Sequence, residues 1–191
     1  MVKNMKKYFL ATILMLFAFS AYADDYTGNV NFLLGQKSLK SEDWAPLEEQ
    51  TTFAVLIDFK QSRWPVSIAI DLLGSSDKGT LYTVNYKGST TELDLGVRKI
   101  WDESGTSLRP YVGGGIAFIK AEIKGTYLSG NSESASDNAA GFWLNTGLYW
   151  ALTPHFNLGM DLRYSNAEVT IKNVNSDAGG ATAGLILGYH W

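Results

Sequence analysis

The chain has 191 residues, of which 46% are hydrophobic, 13% aromatic and 18% charged, with 19 glycines, 4 prolines, no cysteine and a formal charge of −3. That length suits one domain; the charged share lies below the roughly 25% of an ordinary soluble domain, and a mean hydropathy of −0.06 is too polar for a bundle of membrane helices. Without cysteine, a disulfide framework, thiolate catalysis, a thiolate metal site and a lipid-modified N-terminal cysteine are all excluded.

The chain opens on Lys3, Lys6 and Lys7, continues through an almost wholly apolar run from Tyr8 to Phe19, and reaches a small-x-small pattern at Ala21-Tyr22-Ala23. This is the order of a secretory signal. The run of about 12 residues falls short of the roughly 20 that a spanning helix needs, and Asp24-Asp25 follows at once. The expectation is a cleavable signal peptide over 1–23 and a single domain over 24–191. Removing the leader leaves 13 basic against 19 acidic residues, a balance that argues against nucleic acid as a partner.

Beyond Asp24 apolar residues recur at every second position, the period of a β-strand. Weak alternation marks Tyr26 to Gly35. It is plain in Phe53-Val55-Ile57-Phe59, where Ala54, Leu56, Asp58 and Lys60 interleave, and in Val66-Ile68-Ile70-Leu72, where Ser67, Ala69, Asp71 and Leu73 do. Leu93-Leu95-Val97 alternates with Glu92, Asp94, Gly96 and Arg98. Weaker patterns follow over Arg109 to Lys124 and Ala140 to Leu152. Phe156-Leu158-Met160-Leu162-Tyr164 alternates with Asn157, Gly159, Asp161 and Arg163, and Gly180 to Trp191 completes eight strands. Gln36 to Gln50, Ser75 to Ser89, Gly125 to Ala139 and Asn166 to Gly179 read as four long polar loops. Gln61 to Trp64, Asp102 to Ser107 and Thr153 to His155 read as short turns. An even strand count with long connections at one end and short ones at the other is the pattern of a transmembrane barrel, antiparallel and up-and-down, with both termini in the periplasm.

A soluble eight-stranded barrel alternates equally well but turns its apolar face inward. Aromatics speak for the membrane. Tyr26, Phe59, Trp64, Trp101, Tyr111, Trp150, Phe156 and Tyr189 gather near the short turns, and Tyr82, Tyr86, Tyr127, Phe142 and Tyr164 near the long loops, as two girdles at the bilayer interfaces would. The final segment alternates through Ala181, Ala183, Leu185, Leu187, Tyr189 and Trp191 to the last residue. Gly188-Tyr189-His190-Trp191 resembles the closing Gly-Tyr-x-aromatic of small outer-membrane barrels of the OmpA/OmpX type, with Trp in place of the more usual Phe. Pro110-Tyr111-Val112-Gly113-Gly114-Gly115 resembles a strand common in that family. The resemblance implies that Leu185, Leu187, Tyr189 and Trp191 are read by the barrel-assembly machinery during biogenesis, and that the protein lies in the outer membrane of a Gram-negative envelope.

Some small outer-membrane barrels are lipid-modifying enzymes that use a His with a nearby Ser and carboxylate on the outer side. Here the two histidines, His155 in a short turn and His190 next to the C-terminus, both fall at the periplasmic end. No base–nucleophile–orienter set can be assembled around them, so no enzyme is expected, nor any cofactor or metal. Gly113-Gly114-Gly115 lacks the lysine and the helix of a phosphate-binding loop; glycine within a strand more simply permits bending or close approach. Glu48-Glu49 reads as a solvated loop pair.

The charged residues on the face opposite the apolar stripe are read as Asp58, Asp71, Glu92, Asp94, Arg98, Lys120, Glu122, Asp161 and Arg163. An eight-stranded barrel is just wide enough for its own side chains, so these nine are expected to form one lumenal ion network. The sequence thus predicts a barrel with a structural or surface-interaction role, whose partners are outer-membrane lipid and an extracellular ligand of the four long loops. Inward Leu56, Leu73, Trp143 and Tyr149 leave an alternative open, a narrow conduit for small apolar molecules.

Overall fold

The computed structural model describes residues 25–39, 44–81, 84–102, 106–127, 131–171 and 174–191. The expected leader, Met1 to Ala23, and Tyr82 lie outside them. Eight strands close into one antiparallel ring: β1 (Tyr26–Ser38), β2 (Glu49–Gln61), β3 (Ser67–Leu81), β4 (Val84–Ile100), β5 (Leu108–Tyr127), β6 (Ser132–Ala151), β7 (Phe156–Asn166) and β10 (Gly180–His190). The ring is sealed between first and last, from Asn29 opposite His190 to Ser38 opposite Ala181. Trp191 then exchanges both backbone hydrogen bonds with Gly28, each 3.1 Å long. Closure leaves no unpaired edge, which a spanning sheet requires.

Alternation decides which face meets lipid. Leu95, Met160, Leu162, Leu185 and Leu187 stand exposed on the outer wall, while Leu56, Asp71, Asp94 and Asp161 on the opposite face are buried. On β4 the outward apolar residues Val97, Leu95 and Leu93 lie between Lys99 and Thr91, a span of nine residues. That matches the 9–11 residues with which a tilted strand crosses the hydrocarbon.

Three of the four expected long loops are largely strand; Gln36 to Gln50 keeps a connection between Ser38 and Glu49. β3 and β4 stay paired out to Leu81 opposite Val84, and β5 and β6 from Leu108–Trp150 out to Thr126–Ser132, so Ser75 to Ser89 and Gly125 to Ala139 form ribbons standing above the membrane. The segment from Asn166 to Gly179 contains a hairpin, β8 (Glu168–Ile171) paired with β9 (Val174–Asp177). The reason is physical: beyond the bilayer much of the ribbon is wetted on both faces, so the apolar stripe that marks a strand disappears while backbone pairing persists. At the other end the short connections at Gln61 to Trp64 and Thr153 to His155 stand as expected; residues 103–105 of the third lie outside the described residues.

The girdles also need correction. Tyr26, Trp64, Trp101, Trp150, Phe156 and Tyr189 are exposed at the short-turn rim, and Phe142 and Tyr164 at the other, with ring centroids 6.1 Å apart. Tyr111, however, is fully buried, because its parity on β5 points it into the lumen. Tyr86 and Tyr127 lie on the long ribbons, well above the lipid belt.

Candidate functional site

The lumen is filled from wall to wall. Five carboxylates, Asp58, Asp71, Glu92, Asp94 and Asp161, and three cations, Lys37, Arg98 and Arg163, are buried among the described residues. Asp71 and Asp94 face each other directly across β3 and β4, a like-charge pairing that would be destabilising alone. Arg163, reaching across from β7, resolves it by hydrogen bonding Asp71 through Nη2 and Asp94 through Nη1. Arg98 donates to the same Asp71 oxygen at 2.7 Å and to Asp58 at 3.1 Å. A guanidinium can hold two carboxylates in fixed geometry, which suits arginine to both positions.

Neutral groups complete the network. Asn29 donates to Asp58 at 2.7 Å, and Asn157 donates to Asn29 at 3.0 Å. Asp161 lies 3.5 Å from Arg163 Nε and accepts from the Tyr111 hydroxyl at 2.7 Å and from Asn145 at 2.8 Å. Near the mouth at the long-ribbon end, Lys37 pairs with Glu92 at 3.0 Å and donates to the Ala178 carbonyl at 3.1 Å; Ser165 donates to the same Glu92 oxygen.

Aromatic rings occupy the rest of the cross-section, each over a glycine. Trp143 lies opposite Gly115, which in turn faces Gly96. A Cβ on Gly96 would fall 2.2 Å from the Gly114 carbonyl oxygen, so a side chain there is excluded by the backbone itself. Tyr111 lies opposite Gly147, whose Cβ would come 2.3 Å from the Tyr111 hydroxyl. The Arg98 guanidinium sits 5.4 Å from the Tyr111 ring centre and that of Arg163 5.1 Å from Trp143, within the range of cation–π attraction. Tyr111 and Tyr149 stack at 4.4 Å. Leu33, Ala54, Leu56, Leu73 and Ile186 pack against these two tyrosines.

The mouth at the long-ribbon end is capped. Val169 and Ile171 of the β8–β9 hairpin pack with Leu39, Trp44, Ile119, Ala121 and Trp143 in one buried apolar cluster. Trp44 Nε1 donates to the Asp177 carbonyl at 2.8 Å, and Asp137 on β6 accepts the Thr170 amide hydrogen at 2.7 Å. The two hydrogen bonds tie the hairpin to the β1–β2 connection and to the β6 ribbon.

Of the nine charged residues assigned to the lumen, seven meet there. Lys120 and Glu122 do not: Lys120 is exposed and Glu122 half-exposed, on the outward parity of β5 shared by Ile116 and Phe118. The inward residues of β5 in that stretch are Ala117, Ile119 and Ala121, which serve the apolar cap. Conversely, Lys37, Tyr111 and Asn145 belong to the network and were not foreseen. Lys37 continues the inward series of Asn29, Asn31 and Leu33 beyond the strand end expected at Gly35. At the chain end, Leu185, Leu187 and Tyr189 face outward, while Trp191 is half-buried against Gly28. His155 stacks on Tyr189 at 5.4 Å and lies 3.2 Å from the His190 carbonyl oxygen, in the short turn between β6 and β7.

A family model described as the outer membrane protein beta-barrel domain matches residues 9–190. Neisserial surface protein A superposes with a TM-score of 0.55 at 15% identity, over 86% of this chain and 95% of its own. Ail, the attachment invasion locus protein of Yersinia pestis, in complex with the heparin analogue sucrose octasulfate, gives 0.56 at 14% identity, over 87% and 98%. A major outer membrane protein from Thermus thermophilus gives 0.61 at 12% identity, over 87% and 98%. Among curated protein sequences no significant match is found. At these identities the likeness is one of fold.

Proposed function

The chain belongs to the outer membrane protein beta-barrel domain family, and on that premise we propose that it is a plugged outer-membrane barrel whose structural or surface-interaction role is carried by its extracellular ribbons and loops. One observation carries the reading: Arg98, Asp71, Arg163 and Asp94 bridge the lumen with side chains at most 1% exposed. An ion network without water access holds the wall together and leaves no path for a solute. The aromatic residues that favoured a conduit are fully buried, Tyr149 stacked on Tyr111 and Trp143 under the Arg163 guanidinium, rather than lining an opening.

In the same reading, residues 1–23 direct export and are removed, and the outward Leu185, Leu187 and Tyr189 with Trp191 present the final strand to the assembly machinery. The extracellular ligand remains a protein or saccharide of the surface environment; the Ail complex with a heparin analogue is one instance of this fold engaging such a molecule. No catalytic role enters the proposal.

Recording in planar lipid bilayers tests it. The wild-type protein should give no discrete conductance steps, and proteoliposomes should show no saturable uptake of a small apolar dye. Stable channels or saturable flux would overturn the plug and put the conduit first.

A further inference from the structure

Outward residues of β3, β4 and β5 stand in rows that can be followed upward from the lipid belt. The rows Ile70–Leu95–Ile116 and Leu72–Leu93–Phe118 are apolar. Above them come Gly74–Thr91–Lys120, Ser76–Ser89–Glu122, Lys78–Lys87–Lys124 and Thr80–Asn85–Thr126. Lys78 faces Lys87 directly, and Lys87 faces Lys124. Strands lie about 4.8 Å apart, so three lysines spring from adjacent backbone positions, an arrangement that is unfavourable without a counter-charge.

From within, only Glu122, one row below, supplies such a charge, against four lysines. All four lysines are exposed, and none is held by a salt bridge among the described residues. Glu122 is the one carboxylate on this face of the ribbon among the described residues. Glu49 on β2 turns the other way, accepting from Gln36 and Ser38 at 2.7 Å each. Lys78, Thr80, Asn85, Lys87, Lys124 and Thr126 border a cleft of about 480 Å³. The inner side of the same ribbon is covered by Pro46 and Leu47, which lie against Gly79 and Gly88; the lysine side is bare.

Height selects the occupant. Lys120 lies two residues above the last apolar row and the triple row six. At about 3.3 Å per residue and a tilt of about 40°, these are about 5 Å and about 15 Å above the hydrocarbon. Ordinary headgroups extend only about 5–7 Å. A ligand meeting both levels from the lipid side must be anchored in the leaflet and carry anions at its base and further out along a polar extension. We propose that the outer wall of the β3–β4–β5 ribbon binds the phosphorylated saccharide of an outer-leaflet glycolipid, with Lys120 at the phosphate nearest the acyl chains and Lys78, Lys87 and Lys124 on anions beyond it. The inference rests on the orientation that puts the long ribbons outside, and not on the plugged lumen.

The test uses the full mature chain folded in dodecyl maltoside. It is titrated with detergent-solubilised rough lipopolysaccharide bearing a phosphorylated inner core, with the same material after phosphatase treatment, and with inorganic polyphosphate as a lipid-free probe. The phosphorylated glycolipid should bind in a salt-dependent manner. K78A/K87A/K124A should weaken it about a hundredfold at low salt, whereas K78R/K87R/K124R and the periplasmic K99A should bind as the wild type does. Phosphatase treatment should abolish the difference between wild type and triple alanine variant. Heat-dependent gel migration checks that each variant is folded, and labelling of K87C on intact cells reads the orientation separately. Equal binding by wild type and the folded triple alanine variant would overturn the proposal. So would polyphosphate binding as tightly as the glycolipid, which would make the row a site for soluble polyanions.

Discussion

Replacing Arg163 by alanine should destabilise the barrel by about 3–5 kcal/mol, the cost of breaking a buried ion pair from one side. The structure says where that cost falls. Asp71 keeps Arg98 at 2.7 Å, and Asp161 keeps Tyr111 and Asn145 at 2.7 and 2.8 Å. Asp94 loses its one ion pair among the described residues, so a buried carboxylate is left alone. Loss of the guanidinium over Trp143 adds about 0.5–2 kcal/mol. The double variant Arg163→Met with Asp94→Leu removes cation and stranded anion together, and should recover more than half of the loss, giving a coupling well above 1 kcal/mol in a double-mutant cycle. Arg109→Ala is the control: its pair with Asp102 at 3.2 Å is solvent-exposed on the Asp102 side, and such pairs contribute about 0–1 kcal/mol. Urea unfolding from phosphatidylcholine vesicles, followed by tryptophan fluorescence and heat-dependent gel migration, measures the wild type, Arg163→Ala, Arg109→Ala, the double variant and its two singles, Arg163→Met and Asp94→Leu. An Arg163→Ala variant as stable as Arg109→Ala would refute the reasoning, since the stranded Asp94 would then carry no cost.

The outer wall and the cap give two further tests. Ile68→Arg, Leu95→Arg and Met160→Arg should each cost about 2–4 kcal/mol, most at Leu95 in the middle of the belt, whereas Thr51→Arg on the polar rim should be mild; equal costs at all four positions in the same assay would refute the register. Asp137 accepts the amide hydrogens of Thr170 and Asn138, and these hold its carboxyl below the ordinary aspartate range. A folded value below the unfolded one, about 3.9, means that the hairpin's tie is present above that pH and is lost as pH falls through the folded value. The Thr170 amide resonance should therefore titrate with a midpoint below that of a free aspartate, and a midpoint at or above it would show that the contact is absent.

What the sequence made legible follows from contrast between the two faces of a strand. On β4 the outward Leu93, Leu95 and Val97 meet lipid, while the inward Glu92, Asp94 and Arg98 meet one another, so the period is sharp and both register and site can be read from it. β5 offers no such contrast between Ile116 and Ala121. Its outward Ile116 and Phe118 face lipid, but its inward Ala117, Ile119 and Ala121 face an apolar cap built by a hairpin and a loop that join it only through the fold. Both faces are apolar there, and the parity of Lys120 and Glu122 cannot be fixed from their neighbours. Counting back from Tyr111 does not help either, since Gly113-Gly114-Gly115 carries no side chain to mark a face. Lys37 was hidden for the opposite reason: its strand outlasts the lipid, and only its fixed alternation from Asn29 onward keeps it aimed at Glu92. Charge that pairs inside a closed barrel is thus visible when lipid covers the other face. Above the bilayer, pairing across strands is what turns separate charges such as Lys78, Lys87 and Lys124, far apart in the chain, into a single row.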